Sequence, residues 1–209
     1  MTILGIPKED EPLMLKLTQE LFGGTDPDIA RSFEPMEIMN VVGDFENYFN
    51  ELTIDRRKKP TDDLASLIAN SKIDGESPPE LETNGYYMIV ATAGHDTTSS
   101  SVSGGLLALM ENPAEMEKLE SNLDELMPTF IDETIRWVTP VRHFMRTATQ
   151  DYTLRDTQIK QGESVILWYP SANRDEEVFD NPFDFKVDRN DAKQIAFGFG
   201  AHVCLGQHL

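Results

Sequence analysis

Apolar residues recur at helical spacing through the first two thirds of the chain. Leu13, Leu17 and Leu21 share one face of a segment from Pro12 to Phe22 that stops at Gly23-Gly24, which predicts a helix. A longer helical stretch runs from Phe33 to Lys59, closing on the charge run 55–59 and on Pro60. Leu64, Leu67 and Ile68 mark a short amphipathic helix over 62–71, followed by a turn at Asp74-Gly75 and a break at Pro78-Pro79. From Leu81 to Glu111 no proline intervenes and apolar residues mix with small ones, which predicts one long, mostly buried helix. Asn112-Pro113 ends it and opens another short helix. A further helix starts at Pro128, covers 129–138 and stops at Pro140. The period then changes. Residues 147–167 alternate and are rich in Thr, Tyr, Ile and Val, predicting two or three short strands with a turn at Gln161-Gly162. Residues 170–196 carry Pro, Asn and Asp with scattered Phe, as an irregular but packed segment would. The chain therefore reads as a single domain, mainly α with a small β element: helical over 1–139, strands over 146–168, irregular over 170–196, and a distinct loop over 197–206.

Composition narrows the function classes. Thirty-seven acidic residues against 18 basic ones give a formal net charge of −19, so phosphate backbones would be repelled and nucleic-acid binding is disfavoured. The one cysteine cannot form an internal disulfide. The opening seven residues are too short and uncharged for a signal peptide, and no apolar run approaches the roughly 18 residues of a membrane span. An acidic, soluble, cytoplasmic protein is expected.

Four motifs carry chemistry. The cysteine, Cys204, sits in a glycine-punctuated loop with Phe197, Gly198, Gly200, His202 and Gly206 at fixed offsets. A lone cysteine is often just a small core residue. On such a loop, however, glycines let the backbone approach a flat macrocycle and aim N–H groups at a sulfur that serves as axial ligand to a haem iron. A cysteine-nucleophile hydrolase is a poorer fit, because His202 is near but no acyl-transfer signature surrounds it. The second motif, 93–98, sets Asp96 and Thr97 in an apolar helix. Alone it could be a kink or cap, but an acid beside a hydroxyl there is costly unless water or a ligand meets it. Third, Glu133 and Arg136 share a helix face; most such pairs are solvated and weak. Fourth, Arg146 follows Val141 and Phe144, and by itself would be a surface arginine.

Together these motifs resemble the cytochrome P-450 (haem-thiolate monooxygenase) family, whose bacterial members read Phe-Gly-x-Gly-x-His-x-Cys-x-Gly at the ligand loop. The stretches 92–101, 144–148, 169–179 and 204–209 are closest to one branch, the bacterial terpineol monooxygenases. The resemblance implies haem b, with Cys204 as iron ligand, Phe197 packed on the sulfur side, and His202 and Arg146 on haem propionates. It implies an acid–alcohol proton relay at Asp96 and Thr97, and a structural network of Glu133 and Arg136 completed by Arg189. Ala93, Val141 and Phe144 would lie near substrate. The implied reaction inserts one oxygen atom of dioxygen into a C–H bond of a small apolar molecule such as a monoterpene, with a ferredoxin-type electron donor. Family members are much longer, so the chain corresponds to a partial P-450 fold lacking the N-terminal part and the C-terminal end. The alternative is a non-catalytic truncated remnant of such an enzyme.

Overall fold

Prolines, glycines and side-chain caps set most helix ends. The computed structural model describes residues 2–24, 26–32, 34–190 and 193–208, which fall into two compact units, Met1–Asp96 and Thr97–Leu209. In the first unit, α1 (Glu11–Phe22) carries Pro12 in its first turn and ends at Gly23. Helix α2 (Pro35–Lys58) ends on Arg56, Arg57 and Lys58, cations that suit a helix C-terminus. Helix α3 (Leu64–Asn70) is capped by Asp63, whose Oδ1 accepts from the Ser66 N–H at 2.7 Å. Helix α4 (Glu80–Ala93) follows the Pro78-Pro79 break.

Val41, Phe45, Phe49 and Leu52 recur along one face of α2 and form the spine of the first core with Met14, Leu17, Ala65, Tyr87 and Ala91. The Phe49 ring stacks on Tyr87 at 5.1 Å, and the Tyr87 hydroxyl, which burial makes a weaker acid, donates to the Ala65 carbonyl. Leu67, expected on the apolar face of α3, instead points to solvent.

The second unit contains most of α5 (Asp96–Glu111), with α6 (Pro113–Ser121) and α7 (Leu123–Val138). Two glycines let α5 lie close on α7. A Cβ on Gly105 would come within 2.6 Å of Thr134 Cγ2, and one on Gly104 within 2.6 Å of Val138 Cγ2. A second core joins Ala108, Leu109 and Leu119 to Phe185 and Val187 from the irregular segment, with Leu126, Phe130 and Trp137 of α7 packed against it.

Four strands follow. Strand β1 (His143–Thr147) pairs antiparallel with β4 (Ser164–Trp168), Arg146 facing Val165 in register. Strands β2 (Tyr152–Leu154) and β3 (Thr157–Ile159) form a separate hairpin. The expected turn at Gln161-Gly162 is present, with Gly162 at φ +87°. Beyond β4 there is one helical turn, α8 (Tyr169–Ala172), and then irregular chain.

Three sequence expectations need correcting. The long helix over 81–111 is two helices broken at Gly94-His95. Glycine is a poor helix former, Thr92 Oγ1 bonds back to the Met88 carbonyl, and the His95 N–H reaches only the Thr92 carbonyl, at 3.4 Å. Nor is this stretch mostly buried: Leu81, Ile89, Val102, Leu106 and Met110 are all exposed. The helix placed at Pro128 begins at Leu123, with Pro128 inside it. The proline removes one backbone bond, and the packed stripe of Leu126, Phe130 and Trp137 offsets that loss. Among the described residues the strands number four, and the first starts at His143, before the alternation becomes clear.

Candidate functional site

A buried ionic network ties α7 to the irregular segment that leads to the cysteine loop. Glu133 and Arg136, one turn apart on α7, are 2% and 1% exposed. Arg136 forks onto the carboxylate, Nε to Oε2 at 2.5 Å and Nη2 to Oε1 at 2.8 Å. Arg189 Nε lies 2.9 Å from the same Oε2. The two guanidiniums then spread over the irregular segment. Arg136 Nη1 donates to the carbonyls of Asn173 and Pro182, and Arg189 donates to those of Asp180, Asn181 and Asp184. The Lys186 N–H returns to Glu133 Oε1 at 2.9 Å. A stretch with little regular structure thus has its backbone polar groups satisfied by side chains of α7 and by its own arginine. Arg174 donates to the Trp137 carbonyl; burial, helped by the charges of Arg136 and Arg142, lowers its pKa from the usual guanidinium value.

The loop itself turns on two glycines at positive φ, Gly198 at +74° and Gly200 at +75°. Gly198 lies so close to α8 that an added Cβ would sit 3.3 Å from the Tyr169 hydroxyl. The Gly198 N–H donates to Ile195 O and the Cys204 N–H to Phe197 O, both at 2.8 Å, closing the loop. A 3₁₀ turn at Gly200–His202 precedes the cysteine, and Gly206 lies in the turn after it. The N–H groups of Gly198, Val203 and Cys204 go to carbonyls. Among the described residues none donates to the sulfur, in contrast to the sequence expectation.

Cys204 is a free, exposed thiol. His202 is also exposed, and Phe197 is half-buried. Phe199 and Leu205, which the sequence reading did not single out, are 93% and 96% exposed. Their only sequence signal is a large apolar side chain between the loop's fixed positions. On β1, the Arg146 guanidinium donates to the Met145 carbonyl and lies 5.9 Å from the Phe144 ring centre. Phe144 is about half exposed and packs at 6.2 Å against Tyr169, while Val141 is half-buried just before the strand. No hydrogen bond or ion pair joins Arg146 to the cysteine loop among the described residues.

Asp96 opens α5 and Thr97 follows it, with Ala93 closing α4. The Asp96 carboxylate accepts from His95 Nδ1 at 2.8 Å, and Ser101 Oγ donates to the Thr97 carbonyl.

Among the described residues no group of three or more His, Cys, Asp or Glu side chains could hold a bare metal ion. Cys204 offers one thiolate, so the remaining ligands of any iron would come from a macrocycle. The residues present suit haem b. The sulfur is accessible on a glycine turn, large apolar side chains beside it are open to a flat apolar group, and Arg146 and His202 can meet carboxylates. Among the described residues no helix is long and apolar enough to cross a membrane.

Comparison with known proteins agrees with this donor set. The family model described as Cytochrome P450 matches residues 30–209. Cytochrome P450-terp of Pseudomonas sp. is 48% identical over all of this chain and half of its own length. CYP108D1 from Novosphingobium aromaticivorans superposes with a TM-score of 0.84 at 45% identity, over 99% of this chain and 48% of that one. The Mycobacterium marinum cytochrome P450 CYP268A2, solved in complex with pseudoionone, gives 0.94 at 32% identity, over 99% and 50%. The chain spans about half the length of the curated relatives it matches. With the thiolate loop and its ionic support both in place, the chain belongs to the cytochrome P450 family, whose proteins hold haem b through a cysteine thiolate.

Proposed function

We propose that the protein is the haem-ligating part of a bacterial monooxygenase that hydroxylates a small apolar substrate of monoterpene size. The observation that carries this reading is the solvent-open Cys204 sulfur on its two-glycine turn. Haem, when bound, supplies the activation of dioxygen that lets an unactivated C–H bond be oxidised. Cys204 would hold the haem iron as a thiolate and lend it electron density. Arg146 and His202 hold the propionates. Asp96 and Thr97 pass protons, a role suited to a carboxylate beside a hydroxyl at a helix break. Phe197 shields the sulfur side, and Ala93, Val141 and Phe144 face the substrate. Electrons come from a ferredoxin-type donor in the cytoplasm.

Two relatives support the substrate class: one bears the name P450-terp and the other is solved in complex with pseudoionone. The test is optical titration of the haem-loaded protein. A monoterpene alcohol should displace the Soret band at lower concentration than a steroid or a long-chain fatty acid. A displacement by the long lipids alone would move the substrate class to that of the relatives named as lipid and steroid hydroxylases.

A second reading, a family member without catalysis, draws on the exposed Val102, Leu106 and Met110 of α5. Failure of the protein to retain stoichiometric haem through gel filtration would favour it.

A further inference from the structure

Asn173 stands just past α8 and is fully buried, yet the ionic network and the chain just before the cysteine loop both bond to it. Its backbone carbonyl accepts from Arg136 Nη1 at 2.7 Å. Its side-chain Nδ2 donates to Thr139 Oγ1 at 2.9 Å, and its Oδ1 accepts the Ile195 N–H at 2.9 Å. Its own N–H donates to the Tyr169 carbonyl, at the residue whose hydroxyl stands over Gly198. Thr139 is itself fixed: it caps α7 in a left-handed conformation, φ +43°, and donates its hydroxyl to the Arg136 carbonyl at 2.7 Å.

We infer that Asn173 is a positioning residue for the Cys204 loop, transmitting the fixed end of α7 to the segment that carries the thiolate. The path is continuous in hydrogen bonds and chain. Thr139 orients the amide, and the amide oxygen holds Ile195. The Ile195 carbonyl holds the Gly198 N–H, and adjacent Phe197 accepts from Cys204. Only a primary amide does this here, because the site needs one donor and one acceptor on a short planar group. Alanine would leave the buried Thr139 hydroxyl oxygen without its donor and the part-buried Ile195 N–H without its acceptor, a loss felt locally at both ends. The inference rests on the proposed haem-ligating role of Cys204 for its functional meaning, but not for its structural test.

The test compares Asn173→Ala, Thr139→Ala and Thr139→Ser with the wild-type chain. In amide hydrogen exchange, Asn173→Ala should cost the Ile195, Gly198 and Cys204 amides at least tenfold in protection, while the amides of α2 keep theirs. Thr139→Ala should do the same to a lesser degree, and Thr139→Ser, which retains the hydroxyl, should match wild type. In the haem-loaded proteins, the share of reduced carbon monoxide complex with the thiolate spectrum should fall in the same order. Unchanged exchange over 195–204, or a loss spread evenly over residues 97–208, overturns the inference. If Asn173→Ala does not fold, the Thr139 pair decides: equal exchange in Thr139→Ala and Thr139→Ser overturns it. A local exchange effect in protein whose wild type never shows a thiolate spectrum upholds the positioning role and rejects the haem reading instead.

Discussion

Glu133 and Arg136 are sealed in the second unit with bidentate geometry, Arg136 also holding the carbonyls of Asn173 and Pro182, whereas Cys204, Phe199 and Leu205 of the same unit stand open to solvent. The two motifs differ in clarity: the cysteine loop is marked by five residues at fixed offsets, the Glu133–Arg136 pair by helical spacing alone until the family resemblance is added. The ionic motif finds its partners within the chain: Arg189, the carbonyls of 173–184 and the Lys186 N–H. The thiolate motif finds only the backbone bonds that shape its turn. A charged group buried by folding has to be neutralised by the fold itself, while a ligand loop has to leave its reactive atom uncovered.

The largest effect that could break this contrast is removal of the shared carboxylate. Glu133→Ala leaves two buried guanidiniums facing each other and should destabilise the unit by about 3–5 kcal/mol, read as a loss of urea midpoint. A cost near zero would mean the network is ornamental. Next comes the loop. Gly198→Ala forces a side chain into φ +74° and against the Tyr169 hydroxyl, and should cost about 1–2 kcal/mol in the same assay. The smallest effect sharpens the edge of the network. Asp188, beside Arg189, is bridged by Lys118 at 2.6 Å; that hydrogen bond, more than offsetting partial burial, lowers its carboxyl pKa. Because the folded value lies below the unfolded one, near 3.9, this stabilisation is present above about pH 4 and fades as pH falls through the folded value. The pair is half exposed, so Asp188→Asn should remove well under about 1 kcal/mol at pH 7 and reduce the acid sensitivity of the thermal midpoint.

What could be read in advance follows the same division. Helix ends were legible where proline, glycine or an acidic cap sits at the boundary, as at Gly23, Asp63, Pro113 and Pro140. The Glu133–Arg136–Arg189 meeting was foreshadowed by spacing and family resemblance, though burial of the pair is invisible to helical periodicity. The break at Gly94-His95 was only half legible: the 93–98 motif allowed a kink or cap, but one glycine in an apolar run does not by itself end a helix, and the back-bonding of Thr92 adds to it. Pro128 misled because a proline near a helix start and one inside a helix look alike until packing is known. Exposure of α5 could not be foreseen either, since apolar pattern marks a face and not its cover. Asn173 lies in the stretch 169–179 that carries the family resemblance but received no role, because asparagine is common in loops and only its four simultaneous partners distinguish it.

The most direct measurement is the reduced carbon monoxide difference spectrum of the haem-loaded protein beside its Cys204→Ser variant. Since the thiol is exposed and unpaired, the substitution should leave folding stability within about 0.5 kcal/mol. The wild type should show the long-wavelength Soret band of thiolate-ligated iron, and the serine variant should lose it. The same band in both proteins, or in neither, would contradict the assignment of Cys204 as the iron ligand.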